Sequence, residues 1–136
     1  MTHAYTVELR FSGEQLKPSE ISARLSLNPC GTYSQSQNQS AKRKRRPYWG
    51  YNGEGEEGFQ TEWVNLEEGL KFLLKNLCPK KTEIVALALQ FDGIWWCGHF
   101  QTSFDGGPML SPKLLTELGS YGISLYIDNY LSDGHE

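Results

Sequence analysis

Five leucines at helical spacing constrain this chain more than any other feature of its sequence. They form one apolar stripe along a predicted helix: Leu66, Leu70, Leu73, Leu74 and Leu77. Asn65 precedes the stripe as a predicted N-cap, with Glu68 three residues later, and Pro79 follows it. Because a helix with one apolar side must bury that side, the stripe predicts a packed domain in which this helix lies on a sheet.

Alternation of apolar and polar residues predicts the sheet. Residues 5–11 alternate with a period of two, which is typical of a strand with one buried face. Shorter strands are predicted at residues 48–51 and 59–63. In the last predicted strand, the inward-facing side chains are Ile123, Leu125 and Ile127, and the outward-facing ones are Tyr126, Asp128 and Tyr130.

A hairpin is predicted where the Asp92-Gly93 pair, a strong turn signal, separates two apolar runs at residues 82–91 and 94–101. The two-residue turn fixes the register of the two strands and so assigns a face to each side chain. The predicted core face carries Val85, Leu87, Leu89, Trp96 and Phe100, and the other face carries Ala86, Ala88, Trp95, Cys97 and His99.

Two more helices complete the pattern. One covers residues 18–27, with Pro18 in its first turn, and the other begins at an N-cap, Ser111, and ends at Gly119. In chain order the predicted elements are β-α-β-β-α-β-β-α-β. This order predicts a single α+β domain over residues 1–136, a two-layer sandwich of three helices on a mainly antiparallel sheet.

Residues 30–58 interrupt this pattern with a different composition. They hold few aliphatic residues and are rich in Ser, Gln, Gly and Asn, so burial of their side chains cannot offset the entropy lost on ordering. We expect a long polar and basic loop there, mobile in part, with Tyr48, Trp49 and Tyr51 anchoring its middle.

Five consecutive cations lie in this loop, in a chain whose formal net charge is −3. The chain has 13 basic and 16 acidic residues, so without the run 8 basic residues remain against 16 acidic ones, a net charge of −8. An acidic body does not suit nucleic-acid binding over a broad surface, because phosphate contacts need positive charge along the whole path, but it suits a cationic protein partner. The candidate binding residues of the run and its flank are Lys42, Arg43, Lys44, Arg45, Arg46, Tyr48 and Trp49.

Four interpretations of the basic run stay open. It matches the pattern of a nuclear localisation signal. Its cations could bind phosphates of a single-stranded nucleic acid while the neighbouring aromatic residues stack on bases. It could instead be a protein contact that becomes ordered on meeting an acidic or aromatic cleft, or a solvated loop.

A second candidate surface is the outer face of the sheet. If the last strand and the second hairpin strand share a sheet, their outward side chains form an aromatic platform for a partner; if they are covered, the same residues form a second core. This face or an exposed edge strand could also join two copies in a two-fold dimer. The candidates are Trp95, His99, Tyr126, Asp128 and Tyr130.

Catalytic motifs are missing from the sequence. It contains no HExxH, GxSxG or P-loop pattern, and its three cysteines include no CxxC pair. The loop segment GEGEEG at residues 53–58 has glycine-rich spacing, but its three glutamates would repel a phosphate. Cys97 and His99 share a predicted strand face and could begin a nucleophile and base or a metal site, but no third group lies near them in sequence. We therefore predict packing roles for both, and no catalytic residue, metal or cofactor.

Membrane insertion and secretion are not expected. The longest apolar stretch, residues 84–89, is far shorter than a bilayer span. The first ten residues lack the basic and apolar regions of a secretory signal. These features predict a cytoplasmic protein.

Three segments of the chain resemble the bacterial family called domain of unknown function 4279. They are ELRFSGEQLKPSEISARLSLNP at residues 8–29, NLEEGLKFLLKNLCP at 65–79 and LSPKLLTELGSYGISLYIDNY at 110–130. The last segment is the most specific, because it joins a leucine-rich helix, a glycine and a strand that ends in Asp128 and Tyr130. The basic run and the SQSQNQS stretch depart from the family's shorter connection.

The resemblance implies a small bacterial cytoplasmic domain without established catalytic residues. It also suggests an immunity protein, encoded beside a toxin and neutralising it by binding. We therefore expect a non-enzymatic protein with a protein partner, in the most concrete case a bacterial toxin. A module for single-stranded nucleic acid is the alternative, and an enzyme acting through Cys97 and His99 is the least favoured hypothesis.

Overall fold

The computed structural model describes residues 3–39 and 42–132, and it has the predicted α+β class. The strands are β1 (His3–Ser12), β2 (Gly31–Tyr33), β3 (Tyr48–Tyr51), β4 (Asp92–Gln101) and β5 (Ser124–Leu131). The α-helices are α1 (Pro18–Leu25), α2 (Leu66–Leu77), α3 (Lys81–Gln90) and α4 (Pro112–Gly119). Short 3₁₀ turns lie at Gln35–Gln39 and Cys78–Lys80.

One open sheet, with the strand order β2-β3-β1-β4-β5, organises the molecule. Neighbouring strands pair antiparallel except β4 and β5, which pair in parallel because the segment with α4 crosses back between them. The prediction of a mainly antiparallel sheet is therefore confirmed. β1 lies in the middle, and its predicted inner face is buried: Tyr5, Val7, Leu9 and Phe11.

The helices pack on that face of the sheet. The Asn65 side chain accepts a hydrogen bond from the backbone N–H of Glu68 at 3.0 Å, and Ser111 does the same for Leu114 at 3.2 Å, so both predicted N-caps are confirmed. The leucine stripe of α2 is buried along its whole length. The other helices add to the same core Ile21, Leu25, Ile84, Leu87, Leu114 and Leu118.

The predicted hairpin is wrong, because its first strand is the helix α3. The 3₁₀ turn Cys78–Lys80 leads from α2 directly into α3, without an extended segment. The sequence of α3 also fits a helix, since Ile84 and Leu87 lie three residues apart and alanine and leucine have high helix propensity. Leu89, predicted in the core, is 86% exposed, whereas Leu87 is 1% exposed.

The antiparallel partner of β4 is therefore β1, and this pairing reverses the faces assigned to β4. Trp95, Cys97 and His99 lie opposite the core residues of β1. Trp96 and Phe100, predicted in the core, lie on the other face. The reversal is complete because side chains alternate strictly along a strand.

Two predictions for the chain between α1 and α2 also need correction. Residues 59–63 do not form a strand; Trp63 makes an isolated bridge with Tyr5, through backbone hydrogen bonds of 2.7 and 2.8 Å. Residues 30–58, predicted as a long loop with one short strand at 48–51, contain that strand as β3 and, in addition, β2 and the turn Gln35–Gln39. Within the described residues the sheet has five strands rather than the six predicted.

Substitutions at Leu87 and Leu89 distinguish a helix from a strand over residues 81–90. In a strand both would face the core, but in α3 only Leu87 does. We expect Leu87→Ala to lower the free energy of unfolding by about 2–5 kcal/mol, because it leaves a cavity in the core. Leu89→Ala should change it by less than about 0.5 kcal/mol. Urea unfolding followed by circular dichroism measures both values, and equal losses would contradict the helix.

Candidate functional site

The sheet has one face under the helices and one face towards solvent, named the open face. Phe100, Tyr126 and Tyr130 on this face are 38%, 51% and 43% exposed. The strand register places on it Glu8, Arg10, Tyr48, Ile94, Trp96, Phe100, Tyr126, Asp128 and Tyr130.

Aromatic side chains of β4 and β5 form a flat cluster on the open face. The rings of Phe100 and Tyr130 stack with centroids 4.9 Å apart and planes 10° apart, and Tyr126 lies beside Trp96 in the parallel register. The Tyr130 hydroxyl donates a hydrogen bond of 2.6 Å to Asp128. This bond to the carboxylate favours the protonated phenol and raises the pKa of Tyr130. The stacking and the hydrogen bond hold the exposed rings in place.

Arg10 extends the cluster towards the centre of the sheet. Its guanidinium carbon lies 4.1 Å from the centroid of the Trp96 ring, and its Nε donates to Glu8 at 2.9 Å. A Cβ at Gly50, on the neighbouring strand, would collide with a carboxylate oxygen of Glu8. Glycine at this position therefore lets the ion pair lie flat across the face.

Asn38 fixes the position of Arg45 beside the open face. The buried Asn38 amide donates to the carbonyl oxygen of Arg45 and accepts from its backbone N–H, both at 3.0 Å, and it also accepts from the Tyr33 hydroxyl at 2.7 Å. The guanidinium carbon of Arg45 then lies 4.4 Å from the Tyr33 centroid and 5.8 Å from the Tyr48 centroid. The middle of the predicted mobile loop is thus tied to the sheet.

The other cations of the basic run have different surroundings. Arg46 pairs with Asp92 at 2.5 Å and with Glu14 at 3.7 Å, and the Lys44 ammonium group donates to the backbone carbonyl of Asn38. Lys42 and Arg43 are exposed and make no hydrogen bond or ion pair within residues 3–39 and 42–132. The five cations therefore do not act as one free patch.

A cleft of about 350 Å³ connects Arg45 to the open face, and we name it the Arg45 cleft. It lies over the end of β1, between the basic run and β4. Its lining residues are Arg10, Ser12, Arg45, Tyr48, Asp92 and Ile94.

Three of the residues predicted for partner binding lie in the core instead: Trp49, Trp95 and His99. Trp49 Nε1 donates to the Ser22 hydroxyl at 2.9 Å, and Trp95 Nε1 donates to the backbone carbonyl of Leu118 at 3.3 Å. These bonds satisfy the one polar atom of each indole, so both rings are packing residues. The binding role of the remaining candidates stays a prediction: Lys42, Arg43, Lys44, Arg45, Arg46, Tyr48, Tyr126, Asp128 and Tyr130.

Sequence reasoning missed Arg10, Trp96 and Phe100 as residues of the open face. The signal was present, because residues 5–11 and 94–100 are both extended and pairing them antiparallel places their apolar side chains together. The turn signal at Asp92-Gly93 favoured the local partner over this distant one.

Cys97 and His99 share a face of β4, but they bond to different groups. His99 Nε2 contacts Nδ1 of His3 and His99 Nδ1 contacts Oδ1 of Asn129, each at 2.8 Å. The Cys97 thiol contacts the backbone carbonyl of Trp95 at 3.9 Å, and burial raises its pKa to about 12. Since both ring nitrogens of His99 are engaged and the thiol stays protonated, this geometry does not form a nucleophile and base.

In the described part of the chain, no group of three or more His, Cys, Asp or Glu side chains is placed to hold a metal ion. No helix among these residues is long and apolar enough to cross a membrane.

Alkylation provides a check on the burial of Cys97. We expect iodoacetamide at about pH 8 to modify the exposed Cys78 and to leave Cys97 intact, because a buried thiol of raised pKa offers little thiolate. Mass spectrometry of proteolytic fragments gives the extent at each cysteine, and a sample unfolded in urea is the control in which Cys97 reacts. Equal rates for the two residues in the folded protein would show that Cys97 is accessible.

Comparison with known proteins gives a family and no characterised relative. Neither a curated protein nor a solved structure matches the chain. The profile of the family described as "Domain of unknown function (DUF4279)" matches residues 3–132. The resemblance in the three sequence segments is thereby confirmed over nearly the whole chain, and the protein belongs to this family.

Proposed function

We propose that this protein is a non-enzymatic bacterial binding protein of the cytoplasm, an immunity-type protein that neutralises a cognate toxin by covering it with the open face. The observation that carries the proposal is the cluster of half-exposed rings on that face: Phe100, Tyr126 and Tyr130. Aromatic side chains dominate the binding energy of protein interfaces, since they bury a large area with few rotatable bonds.

Preorganisation of the rings supports this proposal. Phe100 and Tyr130 are already stacked, and Asp128 holds the Tyr130 hydroxyl. A partner that covers these rings therefore loses little side-chain entropy, and more of the contact energy appears as affinity.

The charge distribution supports a cationic partner. Outside the basic run the chain carries a net charge of −8, which attracts a positively charged protein, such as a nuclease toxin, over several ångströms and raises its association rate. An inhibitor of this kind needs complementary shape and charge rather than catalytic residues.

Replacing single rings of the open face tests the proposal. The assay measures the activity of a purified toxin encoded beside this gene, with increasing amounts of the binding protein. We expect wild type to inhibit it at equal stoichiometry, and Phe100→Ala and Tyr130→Ala each to weaken inhibition at least about tenfold, the loss of a moderate hot spot. Leu115→Ala is the matched control, because Leu115 is a similarly exposed apolar residue on the helical side.

Two outcomes would contradict the proposal. If the toxin stays fully active in the presence of the wild-type protein, the immunity function is wrong. If wild type inhibits but the two ring variants inhibit equally well, the open face is not the binding surface.

Binding of single-stranded nucleic acid is the second candidate function. The observation that favours it is Tyr48 beside Arg45 at the edge of the open face, where a base could stack, with Lys42 and Arg43 free of ion pairs within the described residues. The three cations of the run whose charged groups make neither an ion pair nor a hydrogen bond within the described residues, Lys42, Arg43 and Arg45, predict a slope of about −2 for log affinity against log salt on a single strand. Fluorescence anisotropy of a labelled oligouridylate between about 50 and 200 mM salt measures this slope, and a flat response would exclude the function.

A further inference from the structure

We propose that the Arg45 cleft is a receptor for a single carboxylate, an aspartate or glutamate side chain of the protein partner. This inference rests on the proposed binding function and adds the chemistry by which the partner is recognised. It follows from three features of the cleft: a positioned guanidinium, a balanced set of neighbouring charges and a small volume.

Arg45 is positioned but unpaired. Asn38 holds its backbone by two hydrogen bonds, and the Tyr33 ring lies under its guanidinium. Within residues 3–39 and 42–132, the guanidinium itself makes no hydrogen bond or ion pair. Arg45 lines the cleft, and a planar set of N–H donors that is already stacked on a ring suits a two-point bond to a carboxylate.

The other charged residues that line the cleft, Arg10 and Asp92, are already paired. Arg10 pairs with Glu8, and Arg46 pairs with Asp92 across the cleft wall. Because Arg46 occupies Asp92, this carboxylate is not left for Arg45. The positive charge of Arg45 is therefore left without a partner beside the paired carboxylates of Glu8 and Asp92. The cleft can neutralise one further negative charge.

The same balance argues against a polyanion. A single strand would bring several phosphates past Glu8 and Asp92, which would repel them. The cleft volume of about 350 Å³ also suits a side chain with its adjoining backbone better than a stacked row of nucleotides. Tyr48 and Ile94 supply apolar walls for the methylene groups of an acidic side chain.

A fluorescently labelled peptide with one glutamate among neutral residues is the probe for this receptor. We expect wild type to bind it in fluorescence anisotropy titrations at about 50 mM salt, where surface attraction is weakly screened. Arg45→Gln should weaken binding at least about tenfold, because it removes a charge-assisted bidentate contact. Arg45→Lys should also weaken it severalfold, since lysine keeps the charge but lacks the planar fork.

Arg43→Gln is the matched control. It removes the same charge two residues away, from a side chain without hydrogen bond or ion pair in the described part of the chain, and should change affinity by less than about threefold. Circular dichroism establishes that each variant folds. If Arg45→Gln does not fold, the comparison of Arg45→Lys with Arg43→Lys carries the same test.

Three results would overturn the inference. One is no binding of the glutamate peptide by wild type, and another is an equal loss for the Arg43 and Arg45 variants, which would indicate attraction by net charge alone. The third is tighter binding of an oligothymidylate than of the peptide, with the same dependence on Arg45. Because the assay contains no toxin, its failure is separate from a failure of toxin inhibition: loss of peptide binding with inhibition intact removes only the carboxylate receptor.

Discussion

The ten-residue antiparallel pairing of β1 with β4 determines the rest of the structure. β1 is apolar on one side and polar on the other, so any strand that pairs with it must divide its own side chains in the same way. In the observed register Trp95 enters the core, and Trp96 lies on the open face under the Arg10 guanidinium. A shift by one residue would exchange the two faces of β4, exposing Trp95 and turning Trp96 and Phe100, which now lie on the open face, towards the helices.

Much of the fold follows from local patterns, and the rest depends on contacts between distant residues. The Asn65 and Ser111 caps were predictable, because each is set by residues within one turn. α3 was not, since its sequence satisfies both the helical and the strand period and the Asp92-Gly93 pair resembles a hairpin turn. The deciding factor is packing: Ile84 and Leu87 complete a core that β4 reaches only by pairing with β1.

In the candidate site, too, the sequence predicts which residue types are present, and contacts between distant residues decide how they are arranged. The sequence identifies five adjacent cations and an acidic body, but it treats the cations as equivalent. Folding separates them through distant partners, since Arg46 finds Asp92 and Arg45 finds Tyr33 and Asn38. Which cations remain unpaired is therefore a property of the tertiary structure, and residues such as Arg10 and Phe100 enter the site only through the register of β4.

The acidic body and the Arg45 cleft act over different distances, and this difference gives them different roles. Attraction by net charge extends over about 10 Å at 0.1 M salt and is insensitive to orientation, so it brings a cationic partner near without placing it. A bidentate contact to Arg45 acts only at hydrogen-bond distance and in one plane, so it places the partner. Because the attracting charge and the docking charge have opposite signs, a uniformly positive protein would be drawn to the surface and still lack the carboxylate needed to bind in register over Phe100 and Tyr130.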